Sequence, residues 1–169
     1  NLATGSTVTV TGLTGSQTAD AASLAVTSTS NLLGTAGAWT QSSGQLVLTA
    51  ASGGTSTGTA CTVTFSLTNT ATQQVSPAVS VVAAIQDGST NSVGSIAQAA
   101  MDKSTGALYG VAGGAAPLTV EVPAFSVKSI EQSTPVSGST NTITVTLTAN
   151  YNLATGSTVT VTGLTGSQT

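Results

Sequence analysis

Eight side chains in this 169-residue sequence carry a charge or a thiol: Asp20, Asp87, Asp102, Glu121, Glu131, Lys103, Lys128 and Cys61. Their types bound the chemistry open to the chain. No His is present, so Ser-His-Asp and Cys-His arrangements lack their base and His-containing metal sites lack their ligand. Glu121 and Glu131 stand on either side of Pro123, and a carboxylate pair would need two such scattered acids to meet. No Asp-x-Asp-x-Asp spacing offers calcium a loop. The expectation is a chain without catalytic residues, cofactor or metal.

With no Arg and a net charge of −3, the sequence also lacks the clustered bases that grip nucleic acid or an anionic membrane. Cys61 alternates in phase with Val63, Phe65 and Leu67, which predicts a buried free thiol packed as a small hydrophobe. An inter-subunit disulfide or a thioester at Cys61 would instead need exposure. Lys128 has Asn141, Asn150 and several acids for company, a set that can close a Lys–Asn isopeptide cross-link when buried beside an acid. By parity Lys128 points away from Phe125 and Val127, which predicts a solvated lysine that discourages edge pairing.

The polar character lies in hydroxyls: 34 residues are Thr and 23 are Ser, against 4% charged. These hydroxyls are interleaved with apolar residues, which amount to 39% of the chain, more than disordered Ser/Thr-rich tracts carry. Alternation of period two marks the elements that must position them. Ser6–Thr11 sets Val8 and Val10 against Thr7, Thr9 and Thr11. Ala60–Asn69 alternates from Cys61 to Leu67, and Thr140–Thr148 sets Ile143, Val145 and Leu147 against Thr142, Thr144, Thr146 and Thr148. Shorter patterns at Leu24/Val26, Leu46/Leu48, Val79–Ile85, Leu118–Val122 and Phe125/Val127 bring the expected strands to eight. Gly- and Asp-Gly-containing turns separate them. Gly94–Lys103 is ambiguous between two turns of helix and an edge strand, and strand or irregular structure is favoured. The fold class expected is all-β, an Ig-like antiparallel β-sandwich.

Residues 1–18 return unchanged as residues 152–169. An offset of this length is a domain, too long for a solenoid unit of about 20 to 50 residues. Each repeat is therefore one bead. Val122-Pro123-Ala124 is the best boundary, because proline interrupts a ladder and restrains its predecessor. Residues 1–123 are then expected to be the major part of one β-sandwich repeat. Residues 124–169 are expected to hold the opening strands of the next, with Ser157, Thr158, Val159, Thr160 and Val161 as the inter-repeat or inter-subunit strand.

The stretches Phe125–Pro135, Asn141–Leu147 and Gly156–Gly166 resemble the tandem Ig-like β-domains of very large surface proteins in marine algae and other protists. The resemblance spans the period, rests on strand and turn patterns, and implies a secreted or surface-exposed array without enzymatic activity. A surface this poor in charge invites self-association. It calls either for O-glycans on Thr7, Thr9, Thr11, Thr142, Thr144 and Thr146, or for burial of those faces between beads. No Asn-x-Ser/Thr sequon directs N-linked sugar. The expected function is a structural subunit of an extracellular filament, surface hair or sheath. Its expected partners are other copies of itself and O-glycans, with no nucleic acid and no membrane insertion. The alternative is a spacer repeat in the stalk of a cell-surface adhesin.

Overall fold

The computed structural model describes residues 1–51, 53–89 and 91–167. The chain is all-β, with nine antiparallel strands and a single 3-10 turn at Thr29–Asn31 among the described residues. Among the described residues, no helix is long and apolar enough to cross a membrane. Two compact units are present. One comprises Asn1–Leu108 with Ala112–Val122, the other Tyr109–Val111 with Pro123–Thr169, and the last passage of the chain between them is at the Val122–Pro123 bond.

The first unit holds β1 (Thr7–Thr11), β2 (Ala21–Ser28), β3 (Ala36–Thr40), β4 (Gln45–Thr49), β5 (Val63–Phe65), β6 (Ser80–Gln86) and β7 (Ser92–Ala100). They form one curled sheet in the order β5-β2-β3-β4-β1-β6-β7, a half-barrel compatible with a β-sandwich. Alternation explains the curl's inner face. Leu46 and Leu48 pair with Val10 and Val8 on one side and with Trp39 and Gly37 on the other, while Ala83 and Val81 flank Val8 and Val10 from β6. Leu13, Val26, Leu33, Trp39, Leu46, Leu48, Ala50 and Val79 make the buried cluster. Trp39 also donates its indole N–H to the Thr18 carbonyl at 2.9 Å, which satisfies the one polar group this side chain brings inside.

The second unit is built on a hairpin of β8 (Phe125–Gln132) and β9 (Ile143–Ala149). Both of its ends are closed by asparagine. The Asn141 carbonyl oxygen accepts from the Ser133 and Thr134 N–H groups at 3.1 and 3.2 Å, and its amide donates to Gln132 Oε1 at 2.9 Å. At the open end, Asn150 Oδ1 accepts from the Ala124 N–H at 2.7 Å. In the same unit the Tyr109 and Tyr151 rings stack with centroids 5.4 Å apart. Tyr109 and Gly110 have φ of +51° and +82°, the pair of positive angles a type I′ turn requires.

Four segments depart from the alternation pattern. β3 carries too few apolar residues to stand out (Ala-Gly-Ala-Trp-Thr), yet it is a central strand because Gly37 admits Leu46 and Leu48 against its backbone. The ambiguous stretch is strand over Gly94–Ala100, within β7, and has no strand over Met101–Lys103. Leu118–Val122 forms only a single bridge, Val120 to Gln74, because Leu118 takes a left-handed φ of +55° that ends any ladder. Ala60–Asn69 pairs as a strand over Val63–Phe65 alone, with isolated bonds beyond it such as Thr68 N–H to Thr18 Oγ1.

Candidate inter-repeat interface

The repeated segment appears twice in one chain and in two environments. In the first copy a type II turn leads into β1: the Ser6 N–H donates to the Ala3 carbonyl at 3.0 Å and Gly5 has φ of +86°. β1 then lies between β4 and β6, bonded along both edges. Ser6 is fully buried, and its Oγ accepts from the Gln86 N–H at 3.0 Å. After the strand, Gly12 comes so close to Ala78 that a Cβ there would lie 2.0 Å from the Ala78 carbonyl oxygen. Leu13 closes the segment in the core at 5% exposure.

The second copy keeps this local shape without its surroundings. The Ser157 N–H donates to the Ala154 carbonyl at 3.0 Å, and Gly156, Gly163 and Gly166 have φ of +91°, +87° and +85°. The matching values in the first copy are +86°, +90° and +87° at Gly5, Gly12 and Gly15. Nothing approaches within 4 Å of where a Cβ would stand on Gly156, Gly163 or Gly166. Ser157, Thr158, Val159, Thr160 and Val161, expected as a strand, are exposed and pair with no strand among the described residues. Leu164, the counterpart of Leu13, is 56% exposed. The turn chemistry is local and survives alone; the ladder needs β4 and β6 and does not form without them.

The hairpin is also one-sided. Its register places Lys128, Ile130 and Gln132 opposite Leu147, Val145 and Ile143, so these six share a face. A register shift between Phe125 and Val127 leaves Val127, Ser129 and Glu131 opposite Thr148, Thr146 and Thr144 on the other face. Ile130, Ile143, Val145 and Leu147 are all exposed. Lys128 does lie opposite Val127 in facing, but the face it occupies is the apolar one. Its Nζ donates to the Phe125 carbonyl at 3.4 Å, while Asn141 and Asn150 are engaged in closing the hairpin.

The threonines split into two sets. Thr144 and Thr146 on β9, and Thr142 just before it, are exposed. Thr7, Thr9 and Thr11, expected on a wet face, are half-buried, because β1 is central and Thr9 sits level with Val47 of β4 and Val82 of β6. Cys61 is a free thiol, but it is half-buried where full burial was expected; it packs against the edge of the core just before β5, outside the ladder that would have enclosed it. Asp20 accepts from the Gln41 N–H, Asp87 from the Ser89 N–H and the Asn91 amide, and Glu121 from the Gln73 amide. These acids organise turns and loops. No group of three or more His, Cys, Asp or Glu side chains that could hold a metal ion occurs among the described residues. The chain was compared with protein-family models, curated proteins and solved structures, and none matches it.

Proposed function

We propose that this chain is a structural, non-enzymatic repeat of an extracellular filament, surface hair or sheath, built as a string of Ig-like β-beads. The observation that carries the reading is the second copy of the repeated segment. It holds the turn geometry of β1 while its strand residues and Leu164 stand exposed. A segment shaped for a sheet it does not have is the joining element of a repeated assembly. Heterologous contacts of this kind do not close on themselves and so extend into fibres. The scarcity of charge supports the same conclusion, because beads so weakly protected from one another favour lateral packing or a sugar sheath. O-glycans fit the exposed Thr142, Thr144 and Thr146 at and just before β9, and the half-buried β1 set is the poorer acceptor.

The test is negative-stain electron microscopy of a chain carrying four or more periods. Rods of constant width with an axial repeat of one bead per period are expected. Flexible threads of irregular path would overturn the filament reading and favour a stalk.

A further inference from the structure

We propose that the β7 edge of the first unit is a docking site for the β8–β9 hairpin of a second copy of this chain. The hairpin adds β9 antiparallel to β7 and lays its apolar face over the uncovered end of the core. The proposal rests on the repeat reading above and adds to it the surfaces that meet.

The receiving edge is open and long. β7 spans nine residues, all exposed, and β6 is its only strand neighbour among the described residues. Its inward face is fixed by register: Ile96 lies opposite the buried Ala83, so it belongs to the core side of the sheet. Ile96 is nevertheless 53% exposed. The core therefore runs out to β7 and stops there without a cover.

Chain order identifies the occupant. The sequence that follows the hairpin is that of β1 and its lead-in turn, so in a repeated chain a hairpin stands just upstream of every β1. Residues 150–157 connect Ala149 to the strand sequence, a link reaching at most about 28 Å. β7 lies two places from β1 and runs parallel to it, roughly 10 Å away at the usual strand spacing. A β9 antiparallel to β7 ends beside the start of β1, within reach of that link. β5, the opposite edge, is four places away and three residues long. A second copy of this chain carries the same hairpin and can supply it to this edge.

The faces agree as well. Side chains alternate, so any register placing Val145 level with Ile96, or an even step from it, turns Ile143, Val145, Leu147 and Ile130 inward together. The same step turns Thr144, Thr146 and Thr148 outward, in line with Thr7, Thr9 and Thr11 of β1. Lys128, opposite Leu147, lays its stem along the apolar face and keeps its ammonium group at the strand end, where it meets the Phe125 carbonyl.

Sedimentation velocity and light scattering of the full chain, with Ile96→Lys and Val145→Lys variants, test the proposal. The parent is expected to rise with concentration from its 16.2 kDa monomer to dimers and longer head-to-tail species. Each variant alone is expected to remain monomeric, with the far-ultraviolet dichroism and Trp39 emission of the parent showing intact folding. An equimolar mixture of the two variants has one sound edge and one sound hairpin, and is expected to give a one-to-one dimer and nothing longer. A parent that stays monomeric, variants that assemble like the parent, or a mixture that stays monomeric would each overturn the docking. Should the docking fail while multi-period chains still form regular rods, the array reading stands; irregular threads would bring down that reading instead.

Discussion

Ser6 and Ser157 occupy the same place in the repeated sequence, yet one is fully buried and the other exposed. Ser6 Oγ receives the Gln86 N–H where the β1–β6 ladder ends, so a small hydroxyl takes over from a backbone acceptor. Two other buried serines do the same work. Ser16 donates to the Thr68 carbonyl and receives the Thr18 N–H, and Ser28 donates to the Gly34 carbonyl and receives the Leu33 N–H. Removing such a hydroxyl leaves a buried backbone group unpartnered, which costs about 1–3 kcal/mol. Ser6→Ala is therefore expected to lower the unfolding free energy of the first unit by that amount, read by denaturant titration of Trp39 emission. Ser157→Ala is expected to lie within about 0.5 kcal/mol of the parent, as exposed substitutions do. Equal losses at the two sites would contradict the contrast between the copies. Asp87 supplies a second residue-scale expectation. Its carboxyl is held below the usual carboxylate range, first by the Asn91 side-chain amide and then by the Ser89 N–H. A depressed native value means that the contribution is present above the unfolded pKa, near 3.9, and is lost as pH falls through the native one. Asp87→Asn should accordingly flatten the acid limb of a stability–pH profile below about pH 4 by lowering the neutral plateau toward the acid value.

Strands were readable where alternation was long and lost where other forces decided. β1 and β9 carry Val, Ile and Leu at every second place, so period alone locates them, whereas β8 alternates only over Phe125 and Val127. β3 has no such run. Its place depends on a missing Cβ at Gly37 and on Trp39, whose meaning appears only once Leu46 and Leu48 face them from β4. Leu118–Val122 shows the reverse: a good pattern gave no strand, since one left-handed residue removed the ladder geometry. The candidate interface divides the same way. Period predicted that Ser157–Val161 and Thr142–Thr148 present two unlike faces. It did not reveal that Thr9 lies level with two valines or that Lys128 shares the apolar face, because strand neighbours and a bulge set both. Two element-scale expectations follow from the contacts. Leu46, at 0% exposure in the middle of the curl, is expected to cost about 2–5 kcal/mol as Leu46→Ala, by transfer and cavity terms together. Asn141→Ala removes four hydrogen bonds from the β8–β9 loop. It should speed amide exchange across Ile130–Glu131 and Thr144–Val145 while leaving exchange in β4 unchanged; an unaffected hairpin would show that strand pairing alone holds it.

At the scale of the whole molecule, the repeated segment states its own requirement. The lead-in turn and the three glycine angles are the same in both copies, so the second copy needs little local reorganisation before it can pair. What it lacks is what the first copy receives from residues 19–123, namely β4 and β6 along its edges and the core beneath Leu13. A chain lengthened after Thr169 by a further copy of residues 19–123 supplies those partners. In that chain the amides of Val159 and Val161 are expected to slow in hydrogen exchange from near-unprotected rates to those of Val8 and Val10. Local opening there would then require breaking a central strand, and not merely fraying an end. Leu164 is expected to become as sensitive to truncation as Leu13: Leu164→Ala should be nearly silent in the present chain and cost about 2–5 kcal/mol in the longer one. Fast exchange at Val159 and Val161 in the lengthened chain would mean that matching turns do not make matching strands. The gain of protection would show that one sequence is a loose strand or a central one according to whether the next unit follows it, the property that the proposed array requires.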